Sequence, residues 1–410
     1  MSTQTQTHPG SEEHAGRTPQ IDVLRAFALL GVAVVNASFL GSIWTGPVPD
    51  STAAAVADQV VRVLVLLVFE TKFYLLFSFL FGYAFALQAD RFAAAGAPFA
   101  GAYLRRLAGL GLLGAAHAVL LFPGDILTVY AVAGLVLLAA RRLEPVTEVA
   151  TAAAVLFGAV ISFIVLAALT AVAQGGVWQP VVDPAIVDAV EDPSAGGAWA
   201  VIVGHWNDWP EVLTGMWALQ GPGVLAMLLL GHAAGRTGFL QRPDRLVSFL
   251  PWTRRIGYLV GIPGAVALTG AALYTPGQPA ELAALALNTL TAPLLAAAFA
   301  ATLLGAGARP RVGAWLQKVA APAGRMTLTH YLGQSLIGCL LYTAYGLNLG
   351  AHLPAGLVVA LAIAVFTGQL ALSGWWLRHH AHGPAEWLLR AITRWEIPPW
   401  PRPAVAPTGD

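Results

Sequence analysis

Charge is scarce in this sequence. Only 10% of its 410 residues are Asp, Glu, Lys or Arg, while 57% are hydrophobic. Soluble domains carry about 25% charged residues, and a chain this poor in charge cannot cover a water-exposed surface. Lipid is the expected solvent for most of it. Lysine is nearly missing: Lys72 and Lys318 are the only two, and every other cation is arginine. That choice, with the Ala and Gly richness, reads as the coding bias of a GC-rich bacterium. Cysteine is limited to Cys339, which excludes an internal disulfide and a Cys-based metal site. Residues 1–20 lack the apolar core of a signal peptide and read as a polar, disordered tail. With a net charge of +1, no global field points to nucleic acid.

What the chain does have is long apolar runs. A span needs roughly 20 apolar residues at about 1.5 Å rise each. Ten are expected, at about 21–43, 73–88, 107–122, 126–140, 149–173, 213–235, 256–274, 280–305, 326–347 and 355–377. An amphipathic piece, 54–69, precedes the second and either lies in the interface or extends the span. The fold class is therefore an all-α polytopic membrane protein. Its organisation reads as a tail (1–20), a five-helix bundle (21–176), an outer loop (177–212), a second five-helix domain (213–396) and a Pro-rich tail (397–410).

Arginine placement sets the expected orientation. With the N-terminus in the cytoplasm, only Arg62 and Lys72 fall outside, and Arg25 lies within a span. Arg91, Arg105, Arg106, Arg141, Arg142, Arg236 and Arg254 all fall inside. Ten spans then return the C-terminus to the cytoplasm. The outer side is acidic, and the outer loop, with His205, Trp206 and Trp209, reads as an interfacial cap.

Ionic and amide groups inside spans are costly, and their default reading is a site. Asp22 and Arg25 share one face of the first span, three residues apart. They form either an interfacial anchor or a cation able to meet a phosphate. Asn36 lies about 16 Å further along the same helix, as an interhelical hydrogen bond or a donor to substrate. Glu70 and Lys72 enter the second span two residues apart and so face different partners. They read as interface anchors or as base and donor. His117 is a lone imidazole on a small-residue helix. Asp125 follows Pro123-Gly124 and reads as a helix cap, or as the partner that orients His117 as a base. His330 and Gln334 share a face at the start of the ninth span, for structural hydrogen bonding or substrate binding. His379, His380 and His382 form a headgroup-facing cluster, and no metal site is expected. No phosphate-binding glycine loop, HExxH or GxSxG is present.

Several stretches resemble the YeiB family of multi-pass bacterial membrane proteins, whose C-terminal region is a domain of unknown function. They are IDVLRAFALLGVAVVN, KFYLLFSFLFGYAFALQ, HAVLLFPGDILTVYAVAGLVLL, AGRMTLTHYLGQSL and GPAEWLLR, in the expected order from Ile21 to Arg390. That family implies no settled activity. The opening segment is more distantly similar to transmembrane acyltransferases of the acyltransferase-3 and heparan-glucosaminide acetyltransferase types. Asp22 and Arg25 match their D-x-x-R, but Asn36 stands where the acyltransferase-3 histidine would. The heparan-acetyltransferase type also tends to carry Asn there; its histidine, just before the second span, is replaced by the Glu70–Lys72 region. His117 is the substitute base on chemical grounds.

Two functions of different class follow as expectations. The first is an acyltransferase of the bacterial cell membrane. It would move an acyl group from cytoplasmic acyl-CoA to a hydroxyl or amine acceptor at the outer face. Asp22 and Arg25 would hold the CoA phosphates, and His117, Glu70 and Asp125 would act on the acceptor. Asn36, Lys72, His330 and Gln334 would supply hydrogen bonds to oxyanion or substrate. No permanently bound cofactor is expected, and lipids surround the bundle. The alternative is a transporter or exporter of a small metabolite, which intramembrane charges suit equally. Oligomeric state is open.

Overall fold

The computed structural model describes residues 19–43, 52–173, 197–350 and 352–401, with side chains undescribed at 243–247. Of the expected tails, residues 1–18 and 402–410 lie outside these residues, as does the first part of the outer loop; Pro19 and Gln20 open the first helix, and the start of the Pro-rich tail is packed, Trp387 Nε1 donating to Pro398 O at 2.9 Å. Among them the chain is helical throughout, and six helices are long and apolar enough to cross a membrane. These are α1 (Pro19–Leu40), the composite Thr52–Ala94, α6 (Pro145–Ala173), α9 (Pro243–Tyr274, apolar from Ser248), α10 (Pro279–Gly307) and α14 (Ala355–His379). The composite consists of α2 (Thr52–Leu64), a π turn at Val65–Phe69, a break at Glu70-Thr71, and α3 (Lys72–Ala94). α4 (Phe99–Leu120), α5 (Ile126–Ala140) and α13 (Thr327–Tyr342) are helical where spans are expected, but are shorter or more polar. The protein is a polytopic all-α membrane protein. Its outward apolar side chains, such as Ile161, Leu169 and Leu259, are more than half exposed and need lipid as solvent.

The expected span at 213–235 is two helices. α7 (Gly197–Leu219) and α8 (Gly221–Arg236) meet at a 55° bend. Pro222 sits in the first turn of α8 and has no N–H to continue the ladder, so the helix stops at Gln220 and restarts. α7 also corrects the reading of 197–212 as loop: His205, Trp206 and Trp209 lie on this helix. Three shorter α-helices, α11 (Pro310–Val319), the single turn α12 (Ala321–Gly324) and α15 (Pro384–Arg394), and a 3-10 turn at Phe239–Gln241 complete the described fold.

The ends of these helices follow local rules. Pro opens α6, α9, α10, α11 and α15, where its missing N–H costs nothing. Asp125 caps α5 by accepting from Thr128 N at 2.8 Å. Asp58, paired with Arg62 at 2.8 Å, accepts from Ala355 N at 2.5 Å and ties α2 to the start of α14.

Small residues set the tightest contact. A Cβ at Gly82 of α3 would overlap the Leu228 carbonyl of α8, and one at Gly231 of α8 would overlap the Phe79 carbonyl of α3. The two backbones touch, as small-residue interfaces allow in lipid. α9 and α10 approach in the same way, Gly257 against the Leu294 carbonyl. α1 lies between α3 on one side and α12, α13 and α14 on the other. α15 leans on α4, with Leu389 buried. The bundle thus encloses a space bordered by α1, α3, α4, α5, α10, α13 and α15.

Candidate functional site

That space is one cavity of about 1840 Å³. One end is basic. Arg25 comes from α1, Arg91 from α3, Arg105 and Arg106 from α4, Arg325 from the turn before α13, and Arg390 and Arg394 from α15. Against these seven arginines stand three carboxylates, Asp22, Glu386 and Glu396. Arg25 Nη1 donates to Asp22 Oδ1 at 3.0 Å, and Arg106 lies in electrostatic reach of Arg25, Arg390 and Glu386. Such a basin suits a ligand carrying several negative charges, because guanidinium forks meet phosphates bidentately.

α15 forms one wall of the basic end, and two contacts hold it. Glu386 Oε1 accepts from Leu328 N (2.7 Å) and Thr329 N (3.1 Å), and Oε2 accepts from Thr329 Oγ1 (2.5 Å). The carboxyl caps the first turn of α13, whose amides have no intrahelical acceptor. Burial raises the Glu386 carboxyl above its ordinary range, and these bonds pull it only part of the way back. At the other end of α15, Arg105 Nε donates to Thr393 O at 3.0 Å.

The middle of the cavity is apolar and aromatic, with Leu29, Phe77, Phe81, Tyr130 and Tyr331 on its walls. Ser78 Oγ donates to the Tyr74 carbonyl (2.7 Å), and Tyr130 OH donates to the same carbonyl at 3.2 Å.

The far end is acidic. Asn36, Glu70, Thr71, Glu281 and Asn288 line it. Glu70 sits in the break between the π turn and α3, which leaves its backbone extended rather than helical. Thr71 follows at φ +70°, a left-handed conformation that costs a β-branched residue about 1–3 kcal/mol. Its hydroxyl receives Asn288 Nδ2 at 3.2 Å. Strain held in place by a neighbouring helix is a mark of a built site.

The residues singled out from sequence divide into three groups. Asp22, Arg25, Asn36 and Glu70 line the one cavity. His117 and Asp125 do meet, Nδ1 to Oδ1 at 2.9 Å, though off the line of a hydrogen bond, and both are fully buried. Neither lines the cavity. Tyr331 stands on its wall and donates to Asp125 Oδ1 at 3.3 Å, so the pair is sealed behind it. The third group is tied off to neighbouring backbone or helices. Lys72 is buried and donates to Leu66 O at 3.0 Å, bracing the π turn. His330 Nε2 lies 2.5 Å from Ser373 Oγ, and Gln334 Nε2 donates to Gln369 Oε1 at 2.7 Å, both on α14.

Sequence reasoning missed two features. The arginines of the basic end read as ordinary loop cations, because only packing brings α4 and α15 against Arg25. A buried cluster also went unnoticed: His232 Nδ1 lies 2.8 Å from Glu148 Oε1, with Arg236 3.6 Å from the same oxygen. Glu148 near the start of α6 was a legible signal, being an acid at the border of a long apolar run.

Comparison with known proteins shows matches that run nearly end to end. The chain is 30% identical over 394 residues to the uncharacterized protein YxaH of Bacillus subtilis (strain 168), covering 91% of this chain and 93% of that one. The chain belongs to the YxaH/YeiB family. The uncharacterized protein YeiB of Escherichia coli (strain K12) is 28% identical over 404 residues, covering 92% and 96%. An uncharacterized 39.9 kDa protein encoded in an amylase 3' region of Bacillus acidopullulyticus is 25% identical over 393 residues, covering 92% and 94%. The family model described as a protein of unknown function (DUF418) matches residues 234–396. In this YeiB-family protein that region runs from the end of α8 through α15 and carries Glu281, Asn288, Arg325, Tyr331, Glu386 and Arg390. Other residues of the cavity, Arg25 and Glu70 among them, precede it, so the site is built from both halves of the chain.

Proposed function

We propose that this protein is an acyltransferase of the bacterial cell membrane, with the basic end of the cavity at the cytoplasm and the acidic end at the outer face. The observation that carries the reading is the single cavity with arginines at one end and Glu70 at the other. Acyl-CoA would be a co-substrate, held by its phosphates among Arg25, Arg106 and Arg390. Its thioester would extend through the apolar middle. The acceptor would enter at the acidic end, where the Glu70 carboxylate takes a proton from its hydroxyl or amine as it attacks the thioester carbon. The carbon–sulfur bond breaks, and the departing thiolate takes up a proton. Asn36 stands in the same half and would donate to the developing oxyanion.

Of the two candidate bases, His117 and Glu70, this reading takes Glu70, because its side chain lines the cavity and that of His117 does not. His117 reaches the cavity through Tyr331, against whose ring it packs and whose hydroxyl donates to Asp125, which makes it a positioning residue for that wall. The test is transfer by the purified protein, in sealed vesicles, of radiolabelled acetyl groups from acetyl-CoA to a bacterial envelope extract. Label should appear covalently in an acceptor fraction and should fall at least about tenfold in Arg25→Ala and in Glu70→Gln. Net flux of an unaltered metabolite across the vesicles, with no covalent labelling, would replace this reading with the transporter.

A further inference from the structure

We propose that the acidic end of the cavity is a binding site for an ammonium group, so that the acceptor is a primary amine rather than an alcohol. This rests on the acyl-transfer reading for its chemistry, but not for its binding site.

Donors and acceptors do not balance at this end of the cavity. Glu70 and Glu281 both line the cavity there, close enough to act on each other electrostatically. Lys72 acts electrostatically on Glu70, but it is buried behind the wall and donates to the Leu66 carbonyl. The two carboxylates are therefore not neutralised by it alone. Two further groups on the same wall are buried and unpartnered. Thr269 Oγ1 has no hydrogen-bond partner, on a residue 6% exposed, and Asn288 Oδ1 has none, on a residue 2% exposed. A buried polar atom without a partner is costly, and each one calls for an explanation such as an absent ligand.

Two of the donors near by are already used. Asn288 Nδ2 is given to Thr71 Oγ1, and Thr289 Oγ1 to Leu285 O. Glu281 Oε2 accepts from Gly277 N at 2.6 Å, which holds that carboxylate at the rim. What is left over is the two carboxylates and the Asn288 amide oxygen, which only accept, beside the Thr269 hydroxyl, which can accept as well as donate. An ammonium ion has N–H donors, no acceptor and a positive charge, so it matches this wall; a carboxylate or phosphate does not. A hydroxyl brings a single donor and no charge.

The chemistry balances. The ammonium gives a proton to Glu70, the free amine attacks the thioester carbon, an amide bond forms and the carbon–sulfur bond breaks. One proton remains with the released thiol and one passes to solvent.

The test needs no turnover. The purified full-length protein is titrated calorimetrically with 2-aminoethanol and 1,5-diaminopentane. The matched controls are ethylene glycol and 1,5-pentanediol, with tetramethylammonium as a cation lacking N–H. At least one amine should bind saturably and about tenfold more tightly than its diol and than tetramethylammonium. Glu281→Gln should weaken it about tenfold, and Thr269→Val, which keeps the shape, by a smaller factor. Diols that bind as well as the amines, or amine binding that is absent or unchanged in a folded Glu281→Gln protein, would overturn the proposal. Amine selectivity without acyl transfer would defeat only the enzyme reading. Acyl transfer without amine selectivity would defeat only this one.

Discussion

The wall that α15 builds across the basic end depends on Glu386, and Glu386→Ala is the most direct way to loosen it. The substitution removes three acceptor contacts at once, from Leu328 N, Thr329 N and Thr329 Oγ1. Each contact is counted at the figure for a typical intramolecular hydrogen bond, about 1 kcal/mol. The cavity mouth lets water reach part of what is exposed, which returns some of the roughly 3 kcal/mol. A net loss of about 2 kcal/mol is expected, or about a thirtyfold rise in the open population of α15. Amide hydrogen exchange of residues 384–394, followed by mass spectrometry on the detergent-solubilised protein, measures this directly. Protection of α15 should fall by about that factor while α3 and α8 keep theirs. Glu386→Gln retains one carbonyl acceptor and should lose about half as much. Arg105→Ala, which frees the Thr393 carbonyl at the opposite end, should add to either change. If α15 in the Ala variant exchanges as in the native protein, the capping contacts do not hold the wall and the reasoning fails.

The same carboxyl carries a pH dependence. Its value is raised in the fold, so its titration contributes stability that is complete below about pH 4.5 and is lost as pH rises through the raised value. The melting difference between native protein and Glu386→Gln should shrink with rising pH over that window; a difference that grows would contradict the burial. Gly82→Val places a side chain into the Leu228 carbonyl and should cost about 3 kcal/mol by forcing α3 from α8, with a clear drop in melting temperature. A fully folded protein of native stability would mean that the helices do not touch there. Asp125→Ala removes the α5 cap, takes from the Tyr331 hydroxyl its acceptor and from His117 its buried partner, at about 3 kcal/mol. Asp125→Asn keeps the cap and should retain at least half of that, as thermal unfolding would report.

Much of this protein is fixed by composition alone. Charge depletion and apolar run length make it a membrane bundle, because a helix that satisfies its own backbone is the form such a run takes in lipid. Run length also placed the helices closely where periodicity is long, as at α6 and α14. It failed at 213–235, where an average over the window hides what Pro222 does to one turn. The candidate groups on α1 and at Glu70 were legible because a charge or amide in a span is costly and stands out. The arginines of α4 and α15 were not, since at a membrane border arginine is ordinary.

Only tertiary packing decided which of these groups share a space. His117 and Glu70 look alike in sequence, each an isolated ionisable residue near a span. The fold seals His117 behind Tyr331 and opens Glu70 to the cavity, because the break at Glu70-Thr71 frees that backbone from the helix and Asn288, from more than two hundred residues away, holds it there. Hydropathy acts along the chain and sets what enters the membrane. Contacts between distant helices set what faces what, and the chemistry depends on those.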